Sequence, residues 1–114
     1  MLGASYVMPI VRKTIEQLAI IKKRKGMYFP PRVEEAETFL TGFRTALIIA
    51  GVPVSHESGR VALQRRGWEL TSVGVTPSMR SRGLTDEQMV DELLESFMEE
   101  LRKIPDRVYD TNVT

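Results

Sequence analysis

The sequence predicts a mainly α fold, a small bundle of three to four helices. Three kinds of observation lead there: apolar residues that recur at three- and four-residue steps, threonine–glutamine pairs at capping-box spacing, and a glycine or proline where each apolar pattern stops. A small α+β fold with a short hairpin around residues 60–76 is the alternative, because the middle of the chain reads both ways.

The first predicted helix covers residues 14–25. Thr14 and Gln17 stand at capping-box spacing, Ile15, Leu18, Ala19 and Ile21 or Lys22 supply a face, and Gly26 is placed to close it. Lys22, Lys23, Arg24 and Lys25 fall in its last turn, where the helix dipole favours cations. The second helix covers residues 33–50, with Ala36, Phe39, Leu40, Phe43, Leu47 and Ala50 on one face and Gly51 as terminator. Glu34, Glu35 and Glu37 crowd its first turn, and Gly42 inside it costs about 1 kcal/mol relative to alanine.

Residues 58–66 read as a short helix closed by Gly67, with Leu63 meeting Trp68 across a Schellman-type end; residues 68–75 read equally as a short strand. Residues 76–83, with Pro77, two serines and a glycine, read as an exposed loop. The clearest element is the last, residues 85–104. Met89, Val90, Leu93, Leu94, Phe97, Met98, Leu101 and Ile104 form one apolar face. Thr85 and Gln88 form a capping box, Leu84 and Met89 a hydrophobic staple, Asp86 and Glu87 suit the dipole, and Pro105 ends the helix.

A chain of 114 residues is one domain, residues 1–114, able to bury roughly 65 % of its unfolded surface, with residues 1–12 and 106–114 as candidate flexible ends. Hydrophobic residues at 42 % and charged residues at 27 % exclude disordered and low-complexity classes. Cysteine is absent, which excludes disulfides, thiolate metal sites and a cysteine nucleophile and fits a reducing cytoplasm, the expected location. Pro9, Arg12 and Lys13 interrupt the start, so no signal peptide is expected. The longest apolar stretch, residues 46–50, falls far short of the roughly 20 needed to cross a bilayer, so no membrane partner is expected either.

Charge is distributed unevenly. Residues 1–32 carry seven cations against one anion, and residues 84–114 carry three cations against nine anions, although the whole chain has a formal net charge of +1. Such asymmetry fits a partner of opposite sign, or two segments that attract each other within one fold.

Residues 22–29, KKRKGMYF, resemble the KRPGMYIG element near the front of the ATPase domain of the DNA gyrase B and type II topoisomerase family, and residues 15–21 loosely resemble the helix preceding that element. The likeness spans about 15 residues. Lys25 stands where that family has proline, and Pro30 follows Phe29 in place of glycine. Residues 33–50 lack the family's Glu and Asn pair that activates water and holds magnesium, and no Asp-x-Gly-x-Gly segment follows. The shared string therefore implies a helix-end turn without the machinery for ATP hydrolysis.

Other chemistry is sparse. His56 is the only histidine, so neither a metal site nor a serine–histidine pair with Ser78 or Ser81 is expected. Asp91, Glu95 and Glu99 share one face of the last helix, with Glu92 beside them, and read as a solvated outer face; Trp68 reads as a core anchor. No cofactor, no metal and no enzymatic activity are expected. The residues singled out for a partner or a phosphate are Lys22, Lys23, Arg24, Lys25, Arg65, Arg66, Arg80 and Arg82. The expectation is a non-catalytic interaction or regulatory protein that binds a protein partner or itself as a homodimer. A nucleic-acid-binding accessory protein using the basic patch is the alternative, disfavoured by a pI near 8.1 and the acidic last helix.

Overall fold

The computed structural model describes residues 3–28 and 32–105, so the predicted end at 106–114 lies outside the described residues. Six helices follow in order: α1 (Gly3–Lys23), α2 (Lys25–Tyr28), α3 (Val33–Ile49), α4 (His56–Arg65), α5 (Thr76–Ser81) and α6 (Asp86–Arg102). The fold is mainly α, as predicted, with two short helices beyond the expected three to four. The α+β alternative does not hold. Residues 60–65 belong to α4, and the described residues show one isolated bridge, Thr71 to Gly74, where a hairpin was considered.

Helix α6 is the hub, and α1, α3 and α4 all pack against it. Met89, Val90, Leu94, Phe97, Met98 and Leu101 turn inward and are at most 3 % exposed, meeting Leu18 and Ile21 of α1, Val33 and Ala36 of α3 and Met79 of α5 in one core. Its start is the predicted capping box: the Gln88 N–H donates to the Thr85 hydroxyl at 3.2 Å, and the Thr85 N–H donates to the Gln88 side chain at 2.8 Å.

Helix α1 begins at Gly3, eleven residues before the predicted cap at Thr14. Thr14 lies inside the helix, almost buried, and its hydroxyl donates to the Ile10 carbonyl at 2.7 Å instead of capping a terminus. Pro9 hides the early turns from a sequence reading, since it removes one backbone donor, yet the helix runs through it and buries Val11. Gly26 is not the predicted terminator either: α1 stops at Lys23, and Gly26 falls within α2.

Helices α3, α4 and α5 end by one device, a glycine with φ near +90° at Gly51, Gly67 and Gly83. The next residue's N–H reaches back into the helix, Val52 to Leu47 at 3.0 Å, Trp68 to Leu63 at 3.2 Å and Leu84 to Met79 at 3.3 Å. The middle case is the predicted Leu63–Trp68 end. The predicted loop at 76–83 is instead the short helix α5, with Thr76 and Met79 buried. Pro77 suits its first turn, where no N–H is needed.

Candidate interaction surface

The two oppositely charged segments meet within one chain. Lys22 Nζ lies 3.1 Å from Glu95 Oε2, and Lys25 Nζ lies 2.8 Å from Asp91 Oδ1 and 3.5 Å from Glu87 Oε1, so the end of α1 and the start of α2 run along the acidic side of α6. Asp91 and then Glu87 hold the Lys25 ammonium above the usual lysine range, and Lys22, helped by Arg102, holds the Glu95 carboxyl below the usual carboxylate range.

Three further basic candidates are engaged elsewhere. Arg66 grips Glu92 with two hydrogen bonds, 2.6 Å from Nε and 2.9 Å from Nη2, and also reaches Glu99. The Trp68 indole N–H donates to the same Glu92 at 2.7 Å, and Arg66 together with Trp68 depresses the Glu92 pKa against the opposing effect of burial. Arg82 lies 4.5 Å over the Trp68 ring and donates to the Gly67 carbonyl at 2.8 Å. Arg80 pairs with Glu34 at 2.7 Å and approaches Asp86 at 3.8 Å. The predicted solvated outer face of Asp91, Glu92, Glu95 and Glu99 is thus half-buried and tied to other parts of the chain. Trp68 is a half-buried anchor that packs on the core by its ring while keeping its N–H satisfied.

Other ion pairs form on basic residues that the sequence did not single out. Arg44 makes two 2.8 Å hydrogen bonds to Glu100, donates to the Ser55 carbonyl at 3.0 Å and lies 4.2 Å over the Phe97 ring. Arg102 adds a 3.5 Å contact to Glu95. The signal for Arg44 was its position: it follows Leu40 by four residues and precedes Leu47 by three, a cation on an apolar face, which requires a buried counter-charge.

Of the eight basic candidates, Lys23, Arg24 and Arg65 keep exposed side chains with no ion pair, side-chain hydrogen bond or ring contact among the described residues. They do not form one surface. Lys23 and Arg24 line a shallow cavity of about 360 Å³ with Lys25, Gly26, Met27 and Glu87, whereas Arg65 lines another, of about 300 Å³, with Glu57, Glu99 and Lys103.

Beside Lys23 and Arg24 stand three large apolar side chains open to solvent: Ile20, 44 % exposed, Met27, 76 %, and Tyr28, 40 %. The Gln17 side chain donates to the Tyr28 hydroxyl at 3.3 Å, which folds α2 back along α1. Lys13, Glu16, Gln17, Ile20, Lys23 and Arg24 are exposed at helical spacing, so Ile20 stands with an acid one turn before it and bases one turn after it. This corner combines exposed apolar side chains with charges that form no ion pair among the described residues.

No family model matches the chain, and no curated protein or solved structure matches it either. Among the described residues no helix is long and apolar enough to cross a membrane, and no group of three or more His, Asp or Glu side chains is placed to hold a metal ion. His56 opens α4 and is exposed.

Proposed function

We propose that this is a non-catalytic interaction protein that self-associates through the exposed side of α1 together with α2. One observation carries the reading: the order Glu16, Ile20, Arg24 is self-complementary. When two copies of α1 lie antiparallel with Ile20 facing Ile20, Glu16 of each copy stands opposite Arg24 of the other, and Met27 and Tyr28 cover the flanks. That is an isologous two-fold contact. A stable interface buries about 1,200–2,000 Å², more than one helix face and a single turn provide, so the dimer is weak and concentration-dependent.

Light scattering across a concentration series tests it. The mass should rise toward a dimer, Glu16→Arg should suppress the rise, and the double exchange Glu16→Arg with Arg24→Glu should restore it. A monomer at every concentration, or a Glu16→Arg variant that dimerises as well as the parent, overturns the reading. The nucleic-acid alternative has less support, because five of its eight basic residues already serve internal contacts. Retention on heparin should therefore be weak and little changed by Lys23→Glu with Arg24→Glu.

A further inference from the structure

The methionines of this chain divide by access. Met79 and Met89 are fully buried, Met98 is 2 % exposed, and Met8 is half-buried against the core. Met27, in the short helix α2, is 76 % exposed. None of the four residues of α2 is buried, so no packing draws the thioether inward. An oxidant acts on methionine where the sulfur is within reach, and among the described residues that singles out Met27.

The neighbours of Met27 give its oxidation a consequence. It lines the shallow cavity of about 360 Å³ together with Lys23 and Arg24, two exposed cations that form no ion pair among the described residues. A thioether is an apolar body and a weak acceptor, whereas its sulfoxide is polar. The sulfoxide oxygen places an acceptor in the cavity that these two donors line.

We propose that Met27 is a site of oxidation by peroxides and that its sulfoxide weakens self-association through the α1 and α2 corner. The effect rests on the dimer proposed above; the chemistry at Met27 does not. The Sδ lone pair attacks one oxygen of hydrogen peroxide, an S–O bond forms as the O–O bond breaks, and the departing hydroxide takes the proton of the transferred oxygen and leaves as water. Sulfur is oxidised by two electrons and peroxide is reduced by two. Met27 then no longer gives apolar cover at the flank, and Arg24 is drawn toward the sulfoxide and away from Glu16 of the other copy. Met27 is open in the monomer and shielded when two copies meet, so association and oxidation oppose each other.

The full chain is treated with hydrogen peroxide at a dilution where it is monomeric, and its peptides are weighed. Met27 should convert faster than Met79, Met89 and Met98 by about tenfold or more. The oxidised chain is then compared with the parent by light scattering across a concentration series, its far-UV spectrum showing that it is folded. The dimer dissociation constant should rise by about tenfold or more. Met27→Leu, apolar and without the sulfur, should dimerise as the parent does and continue to do so after peroxide, and Met27→Gln should weaken the dimer with no oxidant present. Buried methionines that convert as fast as Met27, an oxidised chain that dimerises like the parent, or a Met27→Leu chain that loses its dimer to peroxide overturns the proposal. A parent chain that is monomeric at every concentration before treatment overturns the self-association reading and this effect with it, while the peptide masses still decide whether Met27 is the site of oxidation.

Discussion

The seam between α1 and α6 and the node joining α3, α4 and α6 use the same chemistry at different depths. At the seam, Lys22 and Glu95 keep 37 % and 33 % of their side-chain surface open to solvent; at the node, Arg44 and Glu100 keep 12 % and 9 %. Water screens the first pair, which contributes ~0.2–1 kcal/mol. The second pair has left most of its water behind and is tolerated because its polar atoms are matched: Arg44 by Glu100 and the Ser55 carbonyl, Glu100 by Arg44 and the Ser58 hydroxyl. Depth, more than the presence of opposite charges, decides what an ion pair does for this fold.

Breaking the node has the largest expected effect. Glu100→Ala leaves Arg44 nearly buried without its anion, and a loss of about 3–5 kcal/mol is expected from urea unfolding. A loss under about 1 kcal/mol would place the node on the footing of the seam.

Glu92→Gln comes next, removing the charge that Arg66 grips while keeping an acceptor for the Trp68 indole, for about 1.5–3 kcal/mol. It also carries a pH signature. Arg66 holds the folded Glu92 carboxyl below its ordinary value, and Lys22 does the same for Glu95. A depressed folded-state pKa gives stability that is complete above the unfolded value of about 4.3 and is lost as pH falls through the folded value. The acid limb of the stability profile should therefore be steeper in the parent than in Glu92→Gln; superimposable limbs would mean that Glu92 titrates alike in both states.

Gly59→Ala sharpens the comparison from the other side. A Cβ there would lie 2.7 Å from Arg44 Nη2, and the guanidinium cannot withdraw while Glu100 and Phe97 hold it. The cost should fall at the low end of about 1–3 kcal/mol and shrink in a Glu100→Ala background, where Arg44 can swing away. Additive costs in that cycle would show that the two sites do not communicate. The smallest effect belongs to the seam: Lys22→Ala should cost ~0.2–1 kcal/mol at low salt and nothing measurable at about 1 M salt.

Local signals were legible where they were dense. Thr85, Gln88 and the apolar face of α6 name that helix three ways, and Gly51 and Gly67 mark the ends of α3 and α4 because a left-handed residue leaves few alternatives to glycine. Helix α5 stayed hidden, since Met79 is its one large apolar residue and a single position has no period. The start of α1 stayed hidden behind Pro9. The candidate surface was legible only as a basic run at residues 22–25. Which of those cations would be consumed depends on α6, more than sixty residues further along the chain, and no local pattern reports that. Glu37 and Arg44 carried a readable anomaly, charge on an apolar face, though their opposite fates do not follow from it: Arg44 meets Glu100, and Glu37 meets no cation in an ion pair.

The central place of α6 has a consequence for how the chain is made. Translation at about 5–20 residues per second leaves roughly 3–10 s between completion of α3 and completion of α6. Over that interval the apolar sides of α1 and α3, joined within it by that of α4, lack the helix on which all three pack. The nascent polypeptide thus leaves the ribosome with its apolar faces uncovered, and a ribosome stalled before residue 86 would present a protease-sensitive chain.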